Sequence, residues 1–161
     1  FMTLLVFGTF TIAPYIATYM ASNVGLREEQ IKYIYIFGGI ASLAAMPVFG
    51  KLSDRLGKHK MFFIIGSLAI VPTIWITNMA KADIVLAVSV TTCFMALTSG
   101  RMVPAQALIA AATTPQRRAG FMSMISATQH LASGLAASLT AVIVKGKADE
   151  PMQHYPVAGM I

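Results

Sequence analysis

Long apolar runs separated by short clusters of charged residues set the pattern of this chain. Several of the runs reach the roughly 20 residues that a helix needs to cross a bilayer. They predict five complete membrane spans, at about 2–21, 32–50, 61–80, 84–113 and 120–144. A sixth span is predicted to begin near Tyr155. The runs do not alternate like the roughly ten-residue strands of a membrane barrel, so the predicted fold is an all-α, polytopic membrane helix bundle.

Composition favours a membrane protein over a soluble one. Hydrophobic residues make up 57% of the chain, charged residues make up 11%, and the mean hydropathy is +0.71, whereas a soluble domain needs more polar surface. The formal net charge of +6 would suit nucleic acid binding, but the basic residues lie at the ends of apolar runs instead of forming a patch with exposed aromatics. We therefore expect a lipid bilayer as partner and no nucleic acid.

Residues that carry redox, metal or nucleophile chemistry are sparse. Cys93 is the single cysteine and lies in an apolar run, so it can form no intrachain disulfide. The sequence contains no zinc-ligand spacing, no nucleophile elbow and no pair of intramembrane carboxylates. We expect neither an enzyme nor a bound cofactor or metal ion.

The basic segment Gly50–Lys60 lies between two predicted spans and is interpreted as a tight loop. Gly50 would allow close packing at a helix end, Gly57 would permit a turn, and the basic side chains would hold the loop at an anionic membrane surface. Asp54 is unfavourable near the C-terminus of its own helix. We expect it to accept hydrogen bonds at another helix N-terminus, or to pair with Arg55 or a neighbouring arginine.

The order of residue types in this segment, GxLxDRxGKxK, resembles the loop that joins the second and third helices of each six-helix half in the major facilitator superfamily. The runs 99–107 and 115–123 resemble the fourth helix and following loop of a bacterial half, so the resemblance spans most of the chain. It implies a gating loop that stabilises the outward-facing state, formed by Gly50, Asp54, Arg55, Gly57 and Lys58. An ordinary positively charged cytoplasmic loop is the alternative for this segment.

The resemblance also implies a place within a longer transporter. Complete members have two six-helix halves, so we expect this chain to be truncated at both ends. Its partner would be a missing N-terminal half of the same transporter or a second half-bundle. The fifth span carries SGLAA at 133–137 in place of the GPxxGG pattern of antiporter N-terminal halves, which favours the C-terminal half.

Orientation rests on the lysines and arginines of the short loops, which are almost evenly divided between the two sides. The denser set is Lys51, Arg55, Lys58, Lys60, Arg117 and Arg118, and the other is Arg27, Lys32, Lys81, Lys145 and Lys147. The resemblance places the denser set in the cytoplasm. We therefore expect loops 51–60 and 114–119 on the cytoplasmic side of the inner (plasma) membrane.

Arg101 lies in the fourth apolar run, about 26 Å along the helix from Ile84 at ~1.5 Å per residue. An arginine there needs water, a partner or the lipid headgroups, so a functional role and snorkelling to the headgroups are both open. Polar stripes at helical spacing on the same span and on two others could line a cavity, or could simply bond their own helices. These other stripes are Thr11, Tyr15 and Thr18 on the first span and Ser123, Ser126, His130 and Ser133 on the fifth. The expected substrate or coupling pathway comprises Arg101, His130, Tyr15, Thr98 and Gln106.

Two further patterns concern the helices themselves. A proline removes a backbone donor and loosens a helix locally, and the first four spans contain Pro14, Pro47, Pro72 and Pro104. Small residues at four-residue spacing predict close helix crossings, and they occur as Gly38 with Ser42 and Gly134 with Ser138.

These features predict a secondary active transporter that works by alternating access. The resemblance implies proton-coupled efflux, by an antiporter, of a small drug-like or sugar-like solute. All six acidic residues fall in loops or at helix ends, so proton coupling is expected to depend on the missing half. The alternative is a membrane scaffold that moves no solute and works only with a partner.

Overall fold

The fold is a bundle of helices in the computed structural model, which describes residues 2–79 and 81–144 except for the side chain of Ile143. The first helical segment contains α1 (Met2–Phe10), a 3₁₀ turn (Ala13–Tyr15), α2 (Ile16–Tyr19) and a π-helical turn (Met20–Val24), and it is followed by α3 (Glu28–Leu56), α4 (Lys58–Thr77), α5 (Ile84–Ala111) and α6 (Arg118–Ile143). These residues contain no strand, and the predicted all-α fold is confirmed. The predicted sixth span near Tyr155 lies outside the described residues.

Four of the described segments are long and apolar enough to cross a membrane: Met2–Val24, α3, α4 and α5. Each coincides with a predicted span. Helix α6 covers the fifth predicted span and has 26 residues, but it does not reach the same apolarity within the described chain. Gln129 and His130 lie near its centre and account for much of this difference. The membrane crossing of α6 therefore stays a prediction.

The predicted loop over 51–60 is wrong in its extent. Helix α3 continues to Leu56, helix α4 begins at Lys58, and Gly57 alone connects them with a φ of +93°. The Gly57 N–H donates to the Ser53 carbonyl at 3.0 Å, and its own carbonyl accepts from the Met61 N–H at 3.0 Å. Nothing in the polar run 51–56 stops a helix, and only a glycine adopts this φ without a steric penalty, so one residue makes the whole turn. The second predicted loop is confirmed in outline, since residues 112–117 separate α5 from α6.

The prolines affect their helices differently. Pro14 lies in the 3₁₀ turn that interrupts the first segment, where the chain passes from α1 to α2. A π-helical turn follows before the segment ends at Gly25, which has a φ of +84°. In contrast, α3, α4 and α5 continue as helices through Pro47, Pro72 and Pro104. The predicted loosening is therefore seen as a helix break only at Pro14.

Successive helices run in opposite directions across the bundle. One hydrophobic cluster contains Val24 after α2, Ile34 near the start of α3, Ile76 near the end of α4, Val90 near the start of α5, and Val144 after α6. These helix ends therefore lie together, and we call this the far end. The opposite end contains Gly57 and the loop 112–117 with its arginine neighbours, and we call it the basic end.

The helices form two packed groups. Helices α3, α4 and α5 pack closely with one another, whereas α1 packs on α6. The first group has its own apolar cluster of Met61, Ile65, Ala69 and Leu97, against which Phe49 packs. The two groups share apolar contacts mainly through the cluster at the far end. This division determines where polar side chains can lie inside the bundle.

Small residues make the close crossing of α3 and α5. A Cβ atom on Gly38 would overlap the sulfur of Met95, and a Cβ atom on Gly100 would overlap the ring of Phe49. Ser99 donates a hydrogen bond to Ser42 at 3.1 Å across the same interface. The predicted role of the Gly38 and Ser42 pair is confirmed.

The second pair behaves differently in this structure. Gly134 is exposed and a Cβ atom there would meet nothing within 4 Å, while Ser138 bonds the Gly134 carbonyl in its own helix at 2.8 Å. The prediction of a close crossing at Gly134 is wrong for the described helices, because this face of α6 points away from α1.

Replacement of Gly100 by alanine tests the α3–α5 packing. We expect Gly100→Ala to destabilise the protein by about 1–3 kcal/mol, because the new methyl group must displace the Phe49 ring. The measurement is thermal unfolding of the purified protein in detergent. Gly39→Ala is the matched control, since its Cβ meets no atom within 4 Å. Equal midpoints for the two variants would contradict the close approach.

Candidate functional site

Arg101 extends from α5 across to the other helix group. Its Nη2 donates a hydrogen bond to Oγ1 of Thr9 on α1 at 2.8 Å. The Thr9 hydroxyl in turn donates to the Leu5 carbonyl of its own helix at 2.9 Å, which leaves its oxygen free to accept from the guanidinium. The side chain therefore lies inside the bundle, and the alternative that it snorkels to the headgroups is not what the structure shows.

The charge of Arg101 has no anionic partner within the described residues. Its Nε is buried and makes no hydrogen bond there, and Thr9 offers only a neutral hydroxyl. The acidic residues in this part of the chain are all exposed at or beside helix termini, and they are Glu28, Glu29, Asp54 and Asp83. A guanidinium in this position therefore lacks the counter-charge that buried arginines usually have.

Two small cavities lie between the helix groups on the basic side of Arg101. The more polar one has a volume of about 110 Å³ and is lined by Met2, Gln106, Ile109, Met122, Ile125, Ser126 and Gln129. Its neighbour has a volume of about 230 Å³ and is lined by Met2, Thr3, Ile109, Phe121, Ile125 and Thr128. Because Met2, Ile109 and Ile125 line both, the cavities adjoin one another. Gln106 follows Arg101 by about 7 Å along α5 at ~1.5 Å per residue.

The remaining pathway residues are dispersed. The Tyr15 hydroxyl donates to the Ala137 carbonyl at 2.9 Å, so it joins the first segment to α6. Thr98 is buried in α5. His130 is exposed, on a different face of α6 from Gln129, which lines the polar cavity. Among the predicted residues, the structure thus places Arg101 and Gln106 along one side of the gap between the helix groups.

The sequence reasoning missed Thr9 and Gln129. It assumed one continuous helical spacing through Thr11, Tyr15 and Thr18, but the break at Pro14 resets the phase of the helix. Thr11 bonds the Gly8 carbonyl at 2.9 Å, and Thr18 is exposed. Thr9 lies at no same-face helical spacing from Thr3 or Thr11, so its place beside Arg101 depends on packing and not on a pattern in the sequence.

The comparisons with known proteins decide the family. The sequence matches the family model described as Major Facilitator Superfamily over residues 1–148. The chain belongs to the major facilitator superfamily. Comparison with curated proteins and with solved structures gave no match. The resemblance stated from the sequence is confirmed, and the chain is a multi-pass membrane protein from a family of transporters, not of enzymes.

Most of the segment Gly50–Lys60, which resembles the loop of the superfamily and is called the signature segment below, is exposed at the basic end. Asp54 and Arg55 are both exposed, and Lys58 is partly buried. A Cβ atom on Gly50 would lie 3.6 Å from Val103, an ordinary contact, so no steric need for glycine exists there. Asp54 forms no ion pair with Arg55 and no bond to a helix N-terminus in the described part of the chain. Its expected partner would have to lie elsewhere.

A third cavity lies at the far end, on the surface between α3 and α5. It has a volume of about 450 Å³ and is lined by Tyr33, Phe37, Ile84, Val85, Val88, Ser89 and Thr92. The ammonium of Lys32 lies 5.4 Å from the centre of the Tyr33 ring. The groove is mostly apolar and lies away from Arg101 and the polar cavity.

A double-mutant cycle tests the bond between Arg101 and Thr9. In a background with the native arginine, Thr9→Val is expected to destabilise the transporter, because the guanidinium loses the hydroxyl to which it donates. In an Arg101→Gln background the same change should cost less, with a coupling energy of about 0.5–2 kcal/mol. Thermal unfolding in detergent gives the four stabilities.

The matched control for this cycle is Thr73→Val in α4. The Thr73 hydroxyl bonds only its own helix, at the Ala69 carbonyl, at 2.7 Å. Thr73→Val should therefore change the stability by the same amount in the native background and in the Arg101→Gln background. If Thr9→Val were equally additive, the bond would contribute nothing and the placement of Arg101 would be wrong.

Proposed function

We propose that this chain forms part of a secondary active transporter that moves a small drug-like or sugar-like solute by alternating access. Membership of the superfamily supports transport. The observation that carries the mechanism is the arrangement of the two helix groups, with a charged side chain and polar cavities between them. A solute path needs polar groups between the packed helices, and Arg101, Gln106 and Gln129 beside this gap support that proposal.

The unequal packing of the two groups supports a rocking motion. At the far end they share an apolar cluster that includes Ile16, Met20, Ile76 and Phe94. The Tyr19 hydroxyl also donates to the Met79 carbonyl at 2.9 Å there. Toward the basic end the groups are separated by the two small cavities. A bundle packed at one end and gapped at the other can open and close by rigid-body rotation with little repacking.

The signature segment is the proposed gate. Asp54 and Arg55 project from the last turn of α3 into the exposed basic end, where charged side chains can reach a second helix bundle. We infer that an N-terminal half of the same transporter supplies the partners in one of the two states and releases them in the other. The basic end would face the cytoplasm, with the transporter in the inner membrane.

Proton-coupled export is the proposed direction of transport. No acidic side chain of the described chain lies deep in a span, and His130 is exposed on α6. The carboxylate that carries the proton would therefore belong to the other half. Arg101 would then face that half or the solute across the central gap.

Replacement of Asp54 tests the gate. In proteoliposomes that contain the complete transporter, we expect Asp54→Asn to slow solute flux driven by a pH gradient by about tenfold, which corresponds to the loss of about 1.4 kcal/mol from one charged contact. The amount of inserted protein should be unchanged. Glu29→Gln is the matched control, because Glu29 is equally exposed but lies in the first turn of α3 at the far end.

Two results would count against this function. If Asp54→Asn and Glu29→Gln both give the same flux as the unmodified protein, the proposed gating role of Asp54 is wrong. If the complete protein moves no drug or sugar under any ion gradient, the scaffold alternative replaces transport.

A further inference from the structure

The geometry points to Arg101 as the binding site for an anionic group on the transported solute. This inference rests on the proposed transport function and narrows its substrate to small organic anions. It begins from a partly buried arginine that has one neutral hydrogen-bond partner, Thr9, and a buried Nε donor with no partner within the described residues. A carboxylate, phosphate or sulfonate can accept from two guanidinium nitrogens at once, so it would occupy the donor that Thr9 leaves unused.

An uncompensated charge raises the free energy of the protein. An arginine inside a membrane bundle is costly unless a counter-charge, water or headgroups reach it. The structure places Arg101 between the helix groups, and no described residue compensates its charge. A purely structural contact to the Thr9 hydroxyl would need only a neutral donor. A site that must bind and release an anion needs this incomplete pairing, because a permanent carboxylate partner would compete with the solute.

Lipid headgroups are a poor source of the anion. Arg101 lies about 15 Å before the end of α5 at Ala111 and about 26 Å after its start at Ile84, at ~1.5 Å per residue. Its side chain is directed across to α1 and not along α5 toward the basic end. A headgroup phosphate would have to enter the gap between the helix groups to meet this guanidinium, because Nη2 is held at Thr9 on α1. A solute that enters the gap between the groups meets it directly.

The surroundings of the gap agree with a small solute that has a charged end. On the basic side of Arg101 the neutral side chains of Gln106, Ser126 and Gln129 line the polar cavity. Amide and hydroxyl groups can hydrogen-bond the uncharged part of a solute without adding a competing charge. The adjoining cavity is lined mainly by Met2, Ile109, Phe121 and Ile125, and it suits an apolar portion. The preferred solutes would be amphipathic organic anions or sugar acids.

Matched pairs of charged and neutral solutes test this site. The probes are benzenesulfonate with benzenesulfonamide and gluconate with gluconamide, because both anions stay ionised at pH 7 and cross lipid slowly. Flux of each probe is measured in proteoliposomes of the complete transporter, and binding is measured by thermal shift in detergent. The proteins compared are the unmodified transporter, Arg101→Gln and Arg101→Lys.

For at least one pair, we expect the unmodified transporter to prefer the anion over its amide. Arg101→Gln should raise the KM for the anion by about 10- to 100-fold, the factor for one lost charge-assisted contact, and should change the KM for the amide by less than about twofold. Arg101→Lys should retain part of the preference, since lysine keeps the charge but loses the bidentate geometry. Thr9→Val should weaken anion binding less than Arg101→Gln, because Thr9 only positions the guanidinium.

The opposite results separate this inference from the transport proposal. Equal losses for anion and amide in Arg101→Gln would overturn the anion site and give Arg101 a structural or coupling role, with transport intact. No preference for either anion, in flux or in binding, would also overturn it. Anion binding that depends on Arg101 without any flux would uphold the site and contradict transport.

Discussion

The placement of one charged side chain constrains the rest of this bundle. Arg101 lies well within α5, and one of its N–H groups donates to Thr9 on α1. Helix α1 packs mainly on α6. In an apolar interior a guanidinium needs such partners, because water is scarce and each unmade hydrogen bond costs free energy. The bond therefore connects two helix groups that share few apolar contacts away from the far end. The polar cavity lies on the basic side of this bond.

The two helix groups differ in how they are held. Helices α3, α4 and α5 pack through small residues, with Gly38 against Met95 and Gly100 against Phe49, a mode that depends on close backbone approach because lipid removes most of the hydrophobic driving force. Helices α1 and α6 form the other group, and Tyr15 bonds α6 at the Ala137 carbonyl. The two groups share apolar contacts mainly at the far end, and the proposed rocking motion would take place about this end.

Much of the fold follows from the sequence because bilayer physics leaves few options. Apolar runs of sufficient length must be helices, and four of the predicted spans coincide with helices that are apolar enough to cross. The turn at Gly57 was also predictable in kind, since a φ of +93° favours glycine. The length of this turn was not predictable, because charged residues such as Lys51 and Arg55 continue a helix beyond the membrane as readily as they form a loop.

The candidate site was predictable only in part. Arg101 stands out in any apolar run, but its partner depends on the rotation of α1, which the break at Pro14 decouples from the rest of the first segment. Gly134 and Ser138 have the spacing of a helix crossing, yet they face away from the neighbouring helix. Spacing identifies a face of a helix but not what lies opposite, and that information comes only from tertiary packing.

Arg101 and Thr9 face each other across the gap between the helix groups, and cysteine cross-linking tests this placement most directly. In a Cys93→Ser background of the complete transporter, Thr9→Cys combined with Arg101→Cys would be treated with a bifunctional thiol reagent about as long as an arginine side chain. We expect an efficient cross-link for this pair and none for Thr18→Cys with Arg101→Cys, since Thr18 is exposed on α2. Failure of the first pair to cross-link, while each single cysteine still reacts with a lipid-soluble reagent, would contradict it.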